Sequence, residues 1–309
     1  MASSKIIEAS LKLNDGNKIP VVGLGTWQAS EKGQAYLSVS CALKAGYRHI
    51  DTASGYENEA EVGMAIRDSK IPREEIFLTT KLWCQDHKRA SKALDESLEK
   101  LGLDYVDLYL MHWPVPLNPS NESKFSILPN GKKDIPQDWT FLDTYKSMQK
   151  LVGTGKVKSI GVSNFSIKRL EELLSDDELT ITPAVNQVEV HPLLPQDKLI
   201  EYCHEKGIIV EAYSPLGSHD SPLFKNKTIV EVAERNNVTT AQVLIAWGVH
   251  RGTVVLPKSV TPSRIKSNIL QISLPEAEYK VLDKMPTVYG IKRTCNLTFN
   301  DIVVFNDDD

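Results

Sequence analysis

The sequence predicts a (β/α)8 barrel, with a β-hairpin ahead of it and long loops and extra helices at the end of the barrel where its strands finish. Three observations predict it. Eight short extended segments alternate with helical patterns, as a closed ring of βα units requires. Several of those segments are near-continuous runs of Val, Ile and Leu, which suits parallel strands covered on both faces. The 309 residues also accommodate such a barrel with insertions, since one takes about 250 residues.

In chain order, Asp15-Gly16 joins two short extended pieces within 11–20 and marks the hairpin. The barrel strands fall at about 21–24, 47–51, 76–81, 106–112, 157–162, 184–189, 208–212 and 253–256. Helical patterns separate them at 34–45, 57–68, 88–101, 143–152, 166–174 and 196–206, with 226–236 and 240–249 both ahead of the last strand. Ser166 and Pro262 are helix-start signals, and Gly46, Gly102 and Gly207 stand where left-handed C-caps belong. Two stretches exceed a simple connection: 114–142, rich in Pro and Asn, and 285–309, which reads as a tail past the last helix and ends in Asp307-Asp308-Asp309. Long loops at the strand ends of a barrel form lids or substrate walls. No linker divides the chain, so 1–309 reads as one domain.

Composition excludes several classes of function. Hydrophobic content of 41% and charged content of 25% are ordinary for a globular protein, and a net charge of −4 offers nothing to nucleic acid or an anionic membrane. The start of the chain has no continuous apolar run, and no later stretch approaches a membrane span. Cys41, Cys84, Cys203 and Cys295 are scattered without a CxxC pair, as expected of reduced thiols in a cytosolic protein. The histidines show no metal spacing such as HExxH, so no metal is expected, and no GxSxG points to a hydrolase.

The chemistry sits at strand ends. Asp51, Lys81 and His112 close the second, third and fourth barrel strands, and Tyr56 follows Asp51 by one turn. A phenol is a proton donor, an ammonium beside it lowers its pKa, a carboxylate holds the ammonium, and an imidazole orients a carbonyl. That set reduces a C=O group if a hydride is supplied. Trp27, Trp83 and Trp113 lie next to these strand ends and give apolar walls; Phe125, Trp139, Cys295 and Leu297 are further candidates for the substrate pocket.

A cofactor path runs along later strand ends. Ser163 and Asn164 close the fifth strand and Gln187 the sixth, with groups that bond an amide; Tyr213 after the seventh offers a flat face for a ring. The loop Ser214-Pro-Leu-Gly-Ser218-His-Asp220 supplies backbone donors. After the eighth strand, Lys258, Ser259, Thr261 and Arg264 lead into a helix start suited to an anion, and the Lys/Arg pair suits a 2′-phosphate. Gly23-Leu-Gly25 lacks the third glycine of a dinucleotide fingerprint, because position 28 is Gln.

The motifs GLGTW (23–27), GYRHIDTASGYENE (46–59), IFLTTKLW (76–83), LDYVDLYLMHWP (103–114), GVSNF (161–165), NQVEVHPLLPQ (186–196), EAYSPLGS (211–218) and LPKSVTPSRI (256–265) together resemble the aldo-keto reductase superfamily over nearly the whole chain. The resemblance implies a barrel that binds NADPH in extended form, in preference to NADH, and a tetrad in which Tyr56 is the general acid, Asp51 and Lys81 tune it and His112 orients the carbonyl. It implies that Ser163, Asn164 and Gln187 hold the carboxamide, Tyr213 stacks on the nicotinamide, and Ser214, Leu216, Ser218 and Asp220 line the pyrophosphate path. Lys258, Ser259, Val260, Thr261, Arg264 and Asn268 would grip the 2′-phosphate end, with Gly25, Thr26 and Trp27 along the same path. His112 stands where the double-bond-reducing variant carries Glu, and Ser267 where many members carry Glu against the adenine. Within the superfamily, PREEIF and KGIIVEAYSPLGS read like the yeast NADP-dependent glycerol 2-dehydrogenase and 2-methylbutyraldehyde reductase group.

The expected activity is NADPH-dependent reduction of small aldehydes, ketones and keto esters by a monomer, with a dimer as the alternative. Two other roles stay open: a sugar reductase or glycerol dehydrogenase, and an NADPH-binding redox-sensing subunit.

Overall fold

The structure is a computed structural model and describes residues 5–121, 123–218 and 220–305. The acidic end at 307–309, and His219 in the loop after the seventh barrel strand, lie outside the described residues. The hairpin is present as antiparallel β1 (Ser10–Lys12) and β2 (Lys18–Pro20), turned at Gly16 with φ 94°. Eight parallel strands follow: β3 (Leu24–Gly25), β4 (His49–Asp51), β5 (Phe77–Leu82), β6 (Val106–Met111), β7 (Val157–Ser163), β8 (Val185–Glu189), β9 (Ile209–Tyr213) and β10 (Val254–Val255), each paired with the next in sequence. A parallel bridge from Val22 to Val255, with Val255 N donating to Val21 O at 2.8 Å, joins the first strand to the last and closes the ring.

Helices cover the outside: α1 (Gln34–Ala45), α2 (Glu59–Asp68), α3 (Ala90–Leu101), α4 (Phe141–Gln149), α5 (Ile167–Leu174), α6 (Asp197–Glu205), α7 (Lys227–Asn236), α8 (Thr240–His250), α9 (Pro262–Asn268), α10 (Glu276–Asp283) and α11 (Met285–Tyr289). Their ends follow the chemistry of their residues. Ser166 Oγ accepts from Arg169 N, Thr140 and Thr239 close capping boxes, and Gly46 and Gly102 take left-handed C-caps. Three expected boundaries shift. A 3₁₀ turn, Ser54–Tyr56, precedes the pattern at 57–68, whose α-helix starts at Glu59; the pattern at 88–101 begins inside a 3₁₀ turn, Cys84–Arg89; and that at 143–152 is a helix at Phe141–Gln149. The stretch after 285 is not only a tail, because it opens with α11, whose Pro286 sits in the first turn.

The hairpin seals the barrel's lower end. Leu13 and Ile19 pack with Phe77, Leu108, Leu110, Val185 and Val254, and burying each such side chain contributes about 1.5–3 kcal/mol. The upper end is covered by two segments that hold each other. Lys133 N donates to Asn300 Oδ1 and Asn300 Nδ2 returns a bond to Lys133 O, tying the loop after β6 to the C-terminal segment. Trp113, Val115 and Leu117 pack there against Phe299 and Val304.

Gly63 in α2 lies against the end of α3, where an added Cβ would stand 1.9 Å from Leu101 O. Gly63→Ala is therefore expected to destabilise the fold by about 1–3 kcal/mol, because backbone rather than a flexible side chain must give way. An unchanged midpoint in urea would contradict that close approach.

Candidate active site

The strand ends gather four side chains at one point. β4 ends in Asp51, opposite Thr79 of the neighbouring parallel strand β5, which carries Lys81 two residues further on. A 3₁₀ turn, Ser54–Tyr56, then swings Tyr56 over Lys81; Ser54 Oγ anchors the turn on Lys81 O at 2.9 Å, and Glu57 ends it at φ 59°. Asn58 was not anticipated, yet it locks the same loop by accepting from Thr52 Oγ1 and donating to Thr26 O.

Lys81 Nζ is fully buried and donates to both Asp51 carboxylate oxygens at 2.8 Å, to Thr52 O at 3.0 Å and to Tyr56 OH at 3.1 Å. Burial opposes its charge, but Asp51 and Tyr56 outweigh that and raise its pKa. His112 follows β6, its ring edge-on to Tyr56 at 5.6 Å and to Trp83 at 5.2 Å. Burial, with Lys81 adding, holds its imidazole well below the usual range, so it is neutral.

Lys81 pulls the Tyr56 pKa down as expected, but the net shift runs the other way. Burial pushes its phenol up to about 12, and the opposing pull of Lys81 is the smaller effect. The Asp51 carboxylate beside Lys81 adds to the rise, since the phenolate would stand near a second anion. Tyr56 therefore carries its proton throughout the neutral range, as a donor must.

Asp51, Tyr56 and His112 line the floor of a cavity of about 1170 Å3, with Lys81 beneath them. Around them the cavity is lined by Trp27, Trp83, Trp113, Phe125, Cys295 and Leu297, with Lys124. Trp139 is elsewhere: its indole N–H donates to Thr144 Oγ1 at 2.9 Å, and it does not line the cavity. Phe125 and Lys124 are placed by Trp83 Nε1, which donates to Lys124 O at 2.8 Å.

The C-terminal wall is held by a residue that the sequence reading passed over. Glu189, fully buried at the end of β8, accepts from Thr294 N (2.7 Å), Thr294 Oγ1 (2.5 Å) and Cys295 N (2.8 Å). His191 Nδ1 accepts from Leu193 N, which leaves the hydrogen on Nε2 to donate to Glu189 at 2.9 Å. Burial opposes the Glu189 charge, but these donors prevail and lower its pKa.

Away from the tetrad the cavity passes Gly25, Ser163, Asn164, Gln187 and Tyr213, then Ser214, Leu216, Ser218 and Asp220, and ends at Lys258, Ser259, Val260, Thr261, Arg264, Ser267 and Asn268. Thr26 is the exception among the expected cofactor residues. Its hydroxyl is turned inward to donate to Asp51 O at 2.9 Å, and it does not line the cavity. Asn164 is also largely engaged, donating to His112 O and accepting from Tyr213 OH. At the far end α9 has only seven residues, so preference for an anion rests on side-chain cations more than on a helix axis. Burial holds the Lys258 ammonium below its usual range; its Nζ donates to Gln28 O at 3.2 Å. Arg264 is exposed and its guanidinium makes no hydrogen bond or ion pair to a described residue, while Asn268 Oδ1 is buried without a donor. Two cations without a carboxylate partner and an orphaned acceptor at the end of a long cleft fit a phosphorylated nucleotide.

Residues 21–286 match the Aldo/keto reductase family. Aldehyde reductase YPR1 of Saccharomyces cerevisiae is 50% identical over 310 residues, covering 98% of this chain and 99% of that protein. A glycerol 2-dehydrogenase (NADP(+)) of the same yeast is 52% identical over 303 residues, 96% of each chain. An aldose reductase structure from Schistosoma japonicum superposes with a TM-score of 0.86 at 40% identity, covering 94% of this chain and 95% of that one.

Proposed function

Because the chain belongs to the aldo/keto reductase family and is thus an oxidoreductase acting on carbonyl and alcohol groups, we propose that it reduces small aldehydes, ketones and keto esters, with NADPH preferred over NADH and Tyr56 as general acid. The observation that carries this reading is the buried Asp51–Lys81–Tyr56 chain of hydrogen bonds facing a neutral His112 across an aromatic-walled cavity. NADPH, when bound, supplies the hydride. Ser163 and Gln187 would hold its carboxamide and Tyr213 would back its ring, while Lys258, Arg264 and Asn268 would hold the phosphorylated adenosine end.

The neutral imidazole of His112 orients the carbonyl without placing a second cation beside Lys81. Tyr56 gives its proton to the carbonyl oxygen, and the Lys81 ammonium 3.1 Å away steadies the phenolate left behind. Asp51 keeps that ammonium charged and in place. Trp27, Trp83, Trp113, Phe125 and Leu297 favour apolar carbonyl compounds over sugars and polyols, whose hydroxyls would lose water against these rings.

Arg264→Ala is expected to raise the KM for NADPH by about 10–100-fold, the value of a charge-assisted bond to phosphate, and to change that for NADH by no more than about 2-fold. Steady-state kinetics with both coenzymes decides it; equal effects on the two would remove Arg264 from 2′-phosphate recognition.

A further inference from the structure

Polar groups continue beneath the tetrad, past Asp51. Gln187 Nε2 donates to Asp51 Oδ2 at 2.9 Å and to Glu211 Oε2 at 2.6 Å. Glu211 lies in β9 with no exposed surface, and its other oxygen, Oε1, is 3.3 Å from His49 Nε2. His49 Nδ1 is 3.1 Å from the Pro20 carbonyl oxygen, which only accepts, so Nδ1 carries a hydrogen. Neutral His49 therefore presents a lone pair on Nε2. Facing it, an ionised Glu211 would leave two electron pairs in contact and Oε1 without a donor, the state in which it stands unpartnered. One added proton resolves the clash. An ion pair would add two buried charges beside Asp51 and Lys81, each costing several kcal/mol to desolvate. A neutral acid donating to a neutral imidazole adds none.

We propose that Glu211 is a positioning residue held as a neutral carboxylic acid, its hydroxyl donating to His49 Nε2 and its carbonyl oxygen fixing the Gln187 carboxamide against Asp51. Burial, with Asp51 adding, pushes the Glu211 carboxyl up to about 8, and burial pulls His49 down to about 4, both in the direction that the geometry requires. With its amino group spent on two carboxyl groups, Gln187 leaves its oxygen as the group available to the cavity.

The consequence for turnover rests on the proposed role of Tyr56 as proton donor. The titratable and charged groups facing Glu211 are His49 and Asp51 from β4 and Lys81 from β5; its register partners, Gln187 on β8 and Val254 on β10, are neutral. Below its pKa Glu211 is uncharged and silent. As pH rises through that value it becomes a second anion beside Asp51, which disfavours the Tyr56 phenolate and weakens the acid. Reduction then slows.

The test uses the full chain as wild type, Glu211→Gln and Glu211→Leu, with NADPH and butanal. Gln keeps a neutral donor toward His49 and an acceptor for Gln187, so its kcat at pH 7 should stay within about 3-fold of wild type. Leu removes the carboxyl from both partners, leaving Gln187 held only by Asp51 and His49 Nε2 with only Thr79 Oγ1 at 3.5 Å, and should lower kcat by about 10-fold or more. The wild-type rate should decline above about pH 8, whereas the Gln variant should hold its plateau further. Infrared spectra of the protein without coenzyme, taken from pH 6 to 9, should show a protonated-carboxyl band in wild type that Glu211→Gln lacks. Superimposable pH profiles, a Gln variant as impaired as Leu, or no such band overturns the proposal. If the Leu variant does not fold, the Gln profile and the infrared band decide. A failure of the wider reading looks different: no butanal turnover by wild type, or full turnover by Tyr56→Phe.

Discussion

Tyr56→Phe is expected to lower kcat for aldehyde reduction by about 10²–10⁴-fold, the usual contribution of a positioned general acid. The substitution removes one oxygen and leaves the ring edge-on to His112, so the cavity and the nucleotide end are untouched. NADPH binding, read by quenching of tryptophan fluorescence, should therefore stay within about 2-fold, since the removed hydroxyl lies among the tetrad and not at the nucleotide end. Because the phenol keeps its proton up to about pH 12, wild-type reduction should show no loss from Tyr56 itself between pH 6 and 8. Near-normal turnover by the Phe variant would remove Tyr56 from the chemistry.

Lys81→Met should be costly twice over. Lys81 and Asp51 are 0% and 4% exposed as side chains, so deleting the ammonium leaves an uncompensated carboxylate inside the barrel, with a stability loss of about 3–5 kcal/mol. Activity should fall at least as far as in Tyr56→Phe, because the departing proton would leave a phenolate beside an anion. Adding Asp51→Asn separates the two effects. The double variant should regain much of the thermal stability and none of the turnover. Recovery of turnover would show that Lys81 serves only the fold.

Much of this was legible in the chain because charged residues at the ends of apolar runs are conspicuous. Lys81 after Phe77-Leu78 and Asp51 after Ile50 mark the rim of a barrel before any coordinate is seen. Asp15-Gly16 marks the hairpin for a similar reason. Glu189 and Glu211 were harder to see, since each sits within a strand where one charge among Val and Ala reads as noise. Their partners, His191, Thr294, His49 and Gln187, are brought near only by ring closure. The sign of the Tyr56 shift was hidden for a different reason. It depends on how far the packed walls exclude water, a quantity that no spacing of residues encodes. Helix starts at 59 and 90 were missed because 3₁₀ turns share the helical pattern until a left-handed residue such as Glu57 interrupts it.

The tether at Glu189 has a bearing on how this scaffold can diversify. Three of its four bonds run to residues 294 and 295, and two of those are main-chain amides, which every residue but proline offers. The attachment is therefore indifferent to the side chains presented at 295, 296 and 297, which line the cavity alongside Thr294. Specificity can be rewritten there as one would exchange a blade in a fixed handle, by library selection or by descent, while the hinge point in β8 stays the same.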